Sequence, residues 1–122
     1  VATLTVCNYG DAPVRTSPGF HPYFPAVGTQ FDFNGAPYDA DYIAHTEFVA
    51  SPSDTHVAFD GLKLDIRTQN LPVYALWSDR NGQYTCAEPT AKGNAFLSPA
   101  RGGQFVSGHG KKRYGMKIRL IA

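Results

Sequence analysis

This sequence predicts an all-β fold, an antiparallel β-sandwich, and three observations carry that prediction. Apolar and polar residues alternate with a period of two in short runs, the mark of strands buried on one face. Turn-forming residues separate those runs, including nine prolines and twelve glycines. Helical periodicity is missing almost everywhere.

The runs can be taken in chain order. Thr3, Thr5 and Cys7 alternate with Leu4 and Val6, and Asn8 to Asp11 then turn the chain. Phe31 and Phe33 flank Asp32 ahead of a turn at Asn34-Gly35-Ala36-Pro37. Leu62, Leu64 and Ile66 alternate with Lys63, Asp65 and Arg67 directly after the turn pair Asp60-Gly61. Val73 to Trp77 is apolar on both faces, which predicts a central strand. Asn81-Gly82 reads as a hairpin turn into Gln83 to Glu88, and Met116, Ile118 and Leu120 alternate with Lys117 and Arg119 at the end. The result is roughly seven or eight strands at sandwich spacing. Phe96 to Gly110, rich in glycine and serine, reads as a loop.

A chain of 122 residues fits one domain, 1–122, with no room for two cores. A domain of this size buries roughly two-thirds of its unfolded surface and folds without metal or disulfides. Opening on a strand pattern at Val1, without an initiator methionine, is what a fragment or a processed chain looks like. Eleven basic residues against ten acidic ones leave a net charge of +1, which argues against nucleic acid as a partner. Lys111, Lys112 and Arg113, with Arg101 before them, read as a solvated basic loop. Cys7 and Cys86 each sit in a strand-like run and read as buried free thiols, without a motif for metal or redox work. No apolar stretch is long enough to span a membrane, and a cytoplasmic location is expected.

Two segments could carry chemistry. In Gly19-Phe20-His21-Pro22-Tyr23-Phe24, an imidazole lies between prolines and aromatic rings, and Pro22 holds His21 in extended geometry. That setting either tunes an acid/base histidine or fixes a structural one beside an aromatic cluster. In Tyr84-Thr85-Cys86-Ala87-Glu88, alternation puts Tyr84, Cys86 and Glu88 on one face of a strand. With Tyr84 and Cys86 looking inward, Glu88 emerges from an apolar wall as a general base, or turns to solvent where Pro89 ends the strand.

These motifs, in order with Asn8, Gly10-Asp11, Pro13, Ser17 and Ala75-Leu76-Trp77-Ser78, resemble the galactose mutarotase-like superfamily. The match is to the C-terminal portion of aldose 1-epimerase-related proteins, and runs from Leu4 to about Leu97. The resemblance implies that the sandwich is part of a larger supersandwich and that the activity is interconversion of sugar anomers. It implies that His21 is the general acid toward the ring oxygen and Glu88 the general base on the anomeric hydroxyl, with the two groups on either side of the ring. Tyr23 and Phe24 would contact a monosaccharide, while Trp77 is read as core. No metal and no organic cofactor is required. A sugar-binding carboxylate is expected between the motifs, where Asp54 and Asp60 stand, and His45, His56 and His109 read as loop histidines.

Two features depart from the family. The histidine and arginine that its first half supplies fall outside this chain, and Ser98 to Gly115 is longer and richer in glycine and lysine than usual. Half a site makes an incomplete catalyst, so a homo-oligomer covering the missing half is expected. The alternative is a non-catalytic carbohydrate-binding β-sandwich module.

Overall fold

The computed structural model describes residues 1–25, 30–39, 42–59, 61–78, 84–93 and 104–121. Asp60, Arg101, the Asn81-Gly82 turn and residues 96–103 of the expected loop lie outside them.

Twelve strands and one short 3-10 helix (Tyr42–His45) make up the described residues. The larger sheet has six strands: β1 (Ala2–Cys7), β4 (Gln30–Phe33), β5 (Ala36–Asp39), β7 (Asp54–Phe59), β8 (Leu62–Gln69) and β12 (Lys111–Ile121). Their order is β1-β12-β8-β7-β4-β5, with every pair antiparallel. The smaller sheet is formed by β3 (Tyr23–Pro25), β6 (Glu47–Ala50), β9 (Val73–Trp77) and β10 (Tyr84–Thr90), ordered β3-β10-β9-β6. β2 (Val14–Thr16) and β11 (Gln104–Val106) form a two-stranded ribbon.

The expected alternation is realised strand by strand. Leu64 and Ile66 on β8, Val57 and Phe59 on β7, and Phe31 and Phe33 on β4 point to one side. They meet Tyr74 and Leu76 on β9, Ala87 on β10 and Phe24 on β3, so the core lies between the two sheets. Ile66, Tyr74, Leu76 and Ala87 are completely buried. β9 is interior to its sheet, as its two apolar faces predicted. The Asn34-Gly35 pair turns β4 into β5 with both residues at positive φ, and Asp32 Oδ1 accepts a hydrogen bond from the Gly35 amide at 2.7 Å.

The sequence reading passes over β7, though its six residues alternate, and otherwise falls short of the twelve strands because β2, β3, β5, β6 and β11 have only three or four residues each. Two of them also contain proline, Pro25 and Pro37, and sit at sheet edges where a missing amide donor costs little. Cys7 corrects another expectation. It lies on β1, an edge strand, and its thiol is exposed, whereas Cys86 is fully buried.

A second, smaller cluster fixes the approach to β3. Leu71, Ala91 and Tyr114 are buried together, with Val6 and Phe20 packed against them. The Tyr114 hydroxyl lies 2.8 Å from Thr16 Oγ1, tying β2 to β12. Ahead of β2, the buried Asn8 acts as a clasp: its Nδ2 donates to the carbonyls of Ala12 at 2.7 Å and of Val106 and Ser107 at 3.1 Å. Its Oδ1 accepts from the Gly10 amide at 3.0 Å. Replacing Asn8 with alanine removes all four hydrogen bonds, the one to the buried Val106 carbonyl among them, and should lower unfolding free energy by about 1–3 kcal/mol in a urea titration.

Candidate active site

The segment before β3 runs along β10. Gly19 bridges Thr90, Phe20 N donates to Pro89 O at 3.0 Å, and Ala91 N donates to Pro18 O at 2.8 Å. Further along, Tyr23 pairs with Cys86 and Pro25 with Tyr84. The register is the same at both ends, so His21 falls opposite Glu88 across the strand pair. Opposite residues in an antiparallel pair share a face. His21 Nε2 accordingly lies 3.4 Å from Glu88 Oε1. The close approach needs a small residue at position 19, where a Cβ would stand 3.1 Å from both Pro89 O and Thr90 Cγ2.

Period-two alternation along Phe20 to Phe24 sorts the motif into anchors and displayed groups. Phe20 packs into the second cluster and Phe24, 8% exposed, into the main core against Phe59. His21 and Tyr23 point the other way, with Tyr23 56% exposed. Phe24 is therefore placed in the core and away from the face on which a sugar contact was expected of it. The same alternation on β10 sends Thr85 and Ala87 into the interior and Tyr84, Cys86 and Glu88 to the outer face. The sequence reading had Tyr84 and Cys86 looking toward the core. Cys86 is buried even so, because its two cross-strand neighbours are Tyr23 and Trp77.

The rings form a frame around the His21–Glu88 pair. Tyr23 stacks on the imidazole with centroids 4.5 Å apart and planes 5° from parallel, and its hydroxyl is 3.4 Å from Nε2. Trp77 meets the imidazole edge-on at 6.1 Å, and Tyr84 packs against both Tyr23 and Trp77. Trp77 was expected in the core, yet it is half-buried and belongs to this frame. Strand parity decides the matter, since Tyr74 and Leu76 take the core side of β9 and leave Val73, Ala75 and Trp77 on the other.

Burial holds the Glu88 carboxyl above the usual carboxylate range, and the attraction of His21 offsets this only in part. Such a group is nearer to sharing its proton with an imidazole than an exposed glutamate would be. The pair retains access to solvent, with side-chain exposures of 49% for His21 and 17% for Glu88.

The other candidates sit apart from this face. Asp54 is exposed on β7 and pairs with Arg67 at 3.0 Å. His56 lies 2.7 Å from Asp65, which also accepts a hydrogen bond from Arg119 at 2.5 Å, on the outer face of the six-stranded sheet. His109 pairs with Asp11 at 2.7 Å in an exposed turn, and His45 ends the 3-10 helix. Lys111 to Arg113 belong to β12 rather than to a loop. A concavity of about 340 Å³ between β4, β5, β7 and β8 has no histidine in its lining.

No family model and no curated protein matches this sequence. Two solved structures share its fold. One is the Slr1438 protein of Synechocystis sp. PCC 6803, at 19% identity and a TM-score of 0.70 over 97% of this chain. The other is an Escherichia coli K12 protein provisionally named an aldose 1-epimerase, at 17% identity and a TM-score of 0.71 over 98% of this chain. The chain spans about half the length of each, 49% and 55% respectively. At the level of fold, this agrees with the galactose mutarotase-like resemblance of the motifs.

The elevated Glu88 pKa has a testable sign. A carboxyl whose folded pKa lies above its unfolded value favours folding below the unfolded value, and that contribution is lost as pH rises through the folded value. Glu88→Gln should therefore raise the melting temperature at pH 7. The gain should vanish below about pH 4, where the carboxyl is protonated in both states.

Proposed function

We propose that this chain is the acid/base portion of an aldose 1-epimerase-like isomerase, acting on the hemiacetal of a monosaccharide. The observation that carries this reading is the His21–Glu88 pair, 3.4 Å apart, on an open aromatic face. Both oxygens that exchange protons in anomer interconversion are bonded to C1 of the sugar. The acid and the base must therefore be neighbours facing one edge of the ring, rather than groups on either side of it.

In the forward direction, Glu88 takes the proton from the O1 hydroxyl while protonated His21 gives one to the ring oxygen. The C1–O bond of the ring breaks, C1=O1 forms, and the open aldehyde carries no net charge. Rotation about C1–C2 and reclosure on the other face return both protons along the reverse route. A carboxyl raised by burial suits this exchange, because proton transfer is most effective between groups of similar affinity. Tyr23 limits rotation of the imidazole by stacking on it, and the exposed part of its ring can pack on the C–H face of the sugar. Trp77 is available to the same contact. Long contacts of this kind are common in unliganded sites and shorten on substrate.

On this reading the remaining polar contacts to the sugar come from outside residues 1–122, or from a second copy of the chain. Their loss lowers the rate by several powers of ten without removing the proton-transfer pair. A cytoplasmic location fits a sugar isomerase. Among the described residues no helix is long and apolar enough to cross a membrane.

Polarimetry on freshly dissolved α-glucose and α-galactose tests the proposal. The chain should speed the approach to anomeric equilibrium above the buffer rate. His21→Ala and Glu88→Gln should each reduce that acceleration by about 10²–10⁴-fold. Mutarotation at the buffer rate would falsify the isomerase reading. Sugar-dependent quenching of Trp77 fluorescence without turnover would instead identify a carbohydrate-binding module.

A further inference from the structure

The strand register that joins His21 to Glu88 also brings Cys86 beneath them. The imidazole nitrogen, the Cys86 sulfur and a Glu88 oxygen all lie within 4.8 Å of one another. We propose that these three side chains form a site for a thiophilic divalent cation, with Zn²⁺ as its natural occupant by chemistry. Sequence spacing gave no sign of it, because Cys86 acquires its histidine neighbour across β3 and β10 rather than along the chain.

The donor set selects the ion. Thiolate and imidazole favour zinc and related borderline metals, whereas magnesium and calcium take oxygen ligands. The geometry is close to what zinc requires. Ligands at ~2.0–2.1 Å from a tetrahedral ion are separated by roughly 3.4 Å, and His21 Nε2 and Glu88 Oε1 are already 3.4 Å apart. The sulfur is on the same strand face as Glu88 and within 4.8 Å of both other ligand atoms, and binding requires it to close to roughly 3.6 Å, the separation that a Zn–S bond of ~2.3 Å sets. Three protein ligands leave a fourth position, which faces outward because His21 and Glu88 are the exposed members and Cys86 the buried one. The ion enters from that side. Forming the Zn–S bond releases the thiol proton to solvent.

Occupancy removes the His21 lone pair and the Glu88 carboxylate from proton transfer. That blockade rests on the isomerase reading given above; the binding itself does not. No other described group of three histidine, cysteine or carboxylate side chains comes together in this way. The His56–Asp65 and His109–Asp11 pairs each lack a thiol, and the exposed Cys7 provides a control for adventitious thiol binding.

The test is calorimetric titration of the reduced chain with Zn²⁺ in a Cys7→Ser background, repeated with Co²⁺ while recording the near-ultraviolet spectrum. One Zn²⁺ per chain is expected, with no comparable binding of Mg²⁺. Cys86→Ser and His21→Ala should each weaken binding by roughly a hundredfold, at or beyond the top of the range for disturbing metal-site support. The thiolate-to-cobalt charge-transfer band should disappear in Cys86→Ser, a near-isosteric change, with circular dichroism confirming the fold. Equal affinity in Cys86→Ser, or loss of binding on introducing Cys7→Ser alone, overturns the proposal. So does the absence of the charge-transfer band in a chain that binds Co²⁺. Mutarotation that proceeds normally but is indifferent to Zn²⁺ rejects the metal site and leaves the isomerase reading standing.

Discussion

The site depends on one backbone constraint, the continuous antiparallel register between residues 19–25 and β10. It is held at its ends by amide hydrogen bonds from Phe20 and Ala91 and by the Tyr23–Cys86 pairing. Within it, Pro22 keeps His21 extended and supplies no donor, while Gly19 lets the chain approach Pro89 and Thr90 closely. Phe20 and Phe24 then act as two anchors in two separate apolar clusters. Their shared parity forces His21 and Tyr23 onto the opposite face, whatever the side chains there do. The position of the His21–Glu88 pair is thus fixed by packing on the opposite side of the strands.

Most strands long enough to alternate visibly were readable in the sequence. β1, β8, β10 and β12 show this, and so does β9 through its continuous apolar run, whereas β7 alternates as well and was passed over. Strands of three residues carry too little pattern to be read, and they become strands through pairing. The same rule of two could have placed Phe24 correctly, since it shares parity with Phe20 and not with His21. Trp77 was also legible on this argument, because its neighbour Leu76 is the core residue. What no local pattern contains is the register between segments more than sixty residues apart. The meeting of His21 with Glu88 and Cys86 therefore had to come from a family resemblance or from coordinates.

A chain that spans about half of its structural neighbours nevertheless closes a core of its own. Among the described residues, ten buried side chains from the two sheets and Ile43 from the 3-10 helix form that core, and each layer packs against the other. What stays open is the outer face of the four-stranded sheet, where Tyr23 is exposed and His21 half-exposed. The six-stranded sheet presents a different outer face, with Arg67, Asp54, His56, Asp65 and Arg119 joined in ion pairs. Surface of that kind is satisfied by its own partners and by water, and contributes little beyond solubility. On the proposed reading, an aromatic face carrying a polar pair offers a sugar stacking area beside hydrogen-bonding groups.

Of the three histidine–carboxylate pairs among the described residues, His21–Glu88 and His56–Asp65 differ most in what surrounds the carboxyl, while His109–Asp11 lies in an exposed turn. Asp65 accepts a hydrogen bond from the Arg119 guanidinium and another from His56, and these hold its carboxyl below the usual range. An acid so stabilised as its anion is a poor proton acceptor, because every contact that lowers its pKa also lowers its basicity. At Glu88, burial outweighs the attraction of His21 and holds the carboxyl above the usual carboxylate range. On the proposed reading, the desolvation that would make Glu88 a fault in an ordinary strand is what suits it to act as a base.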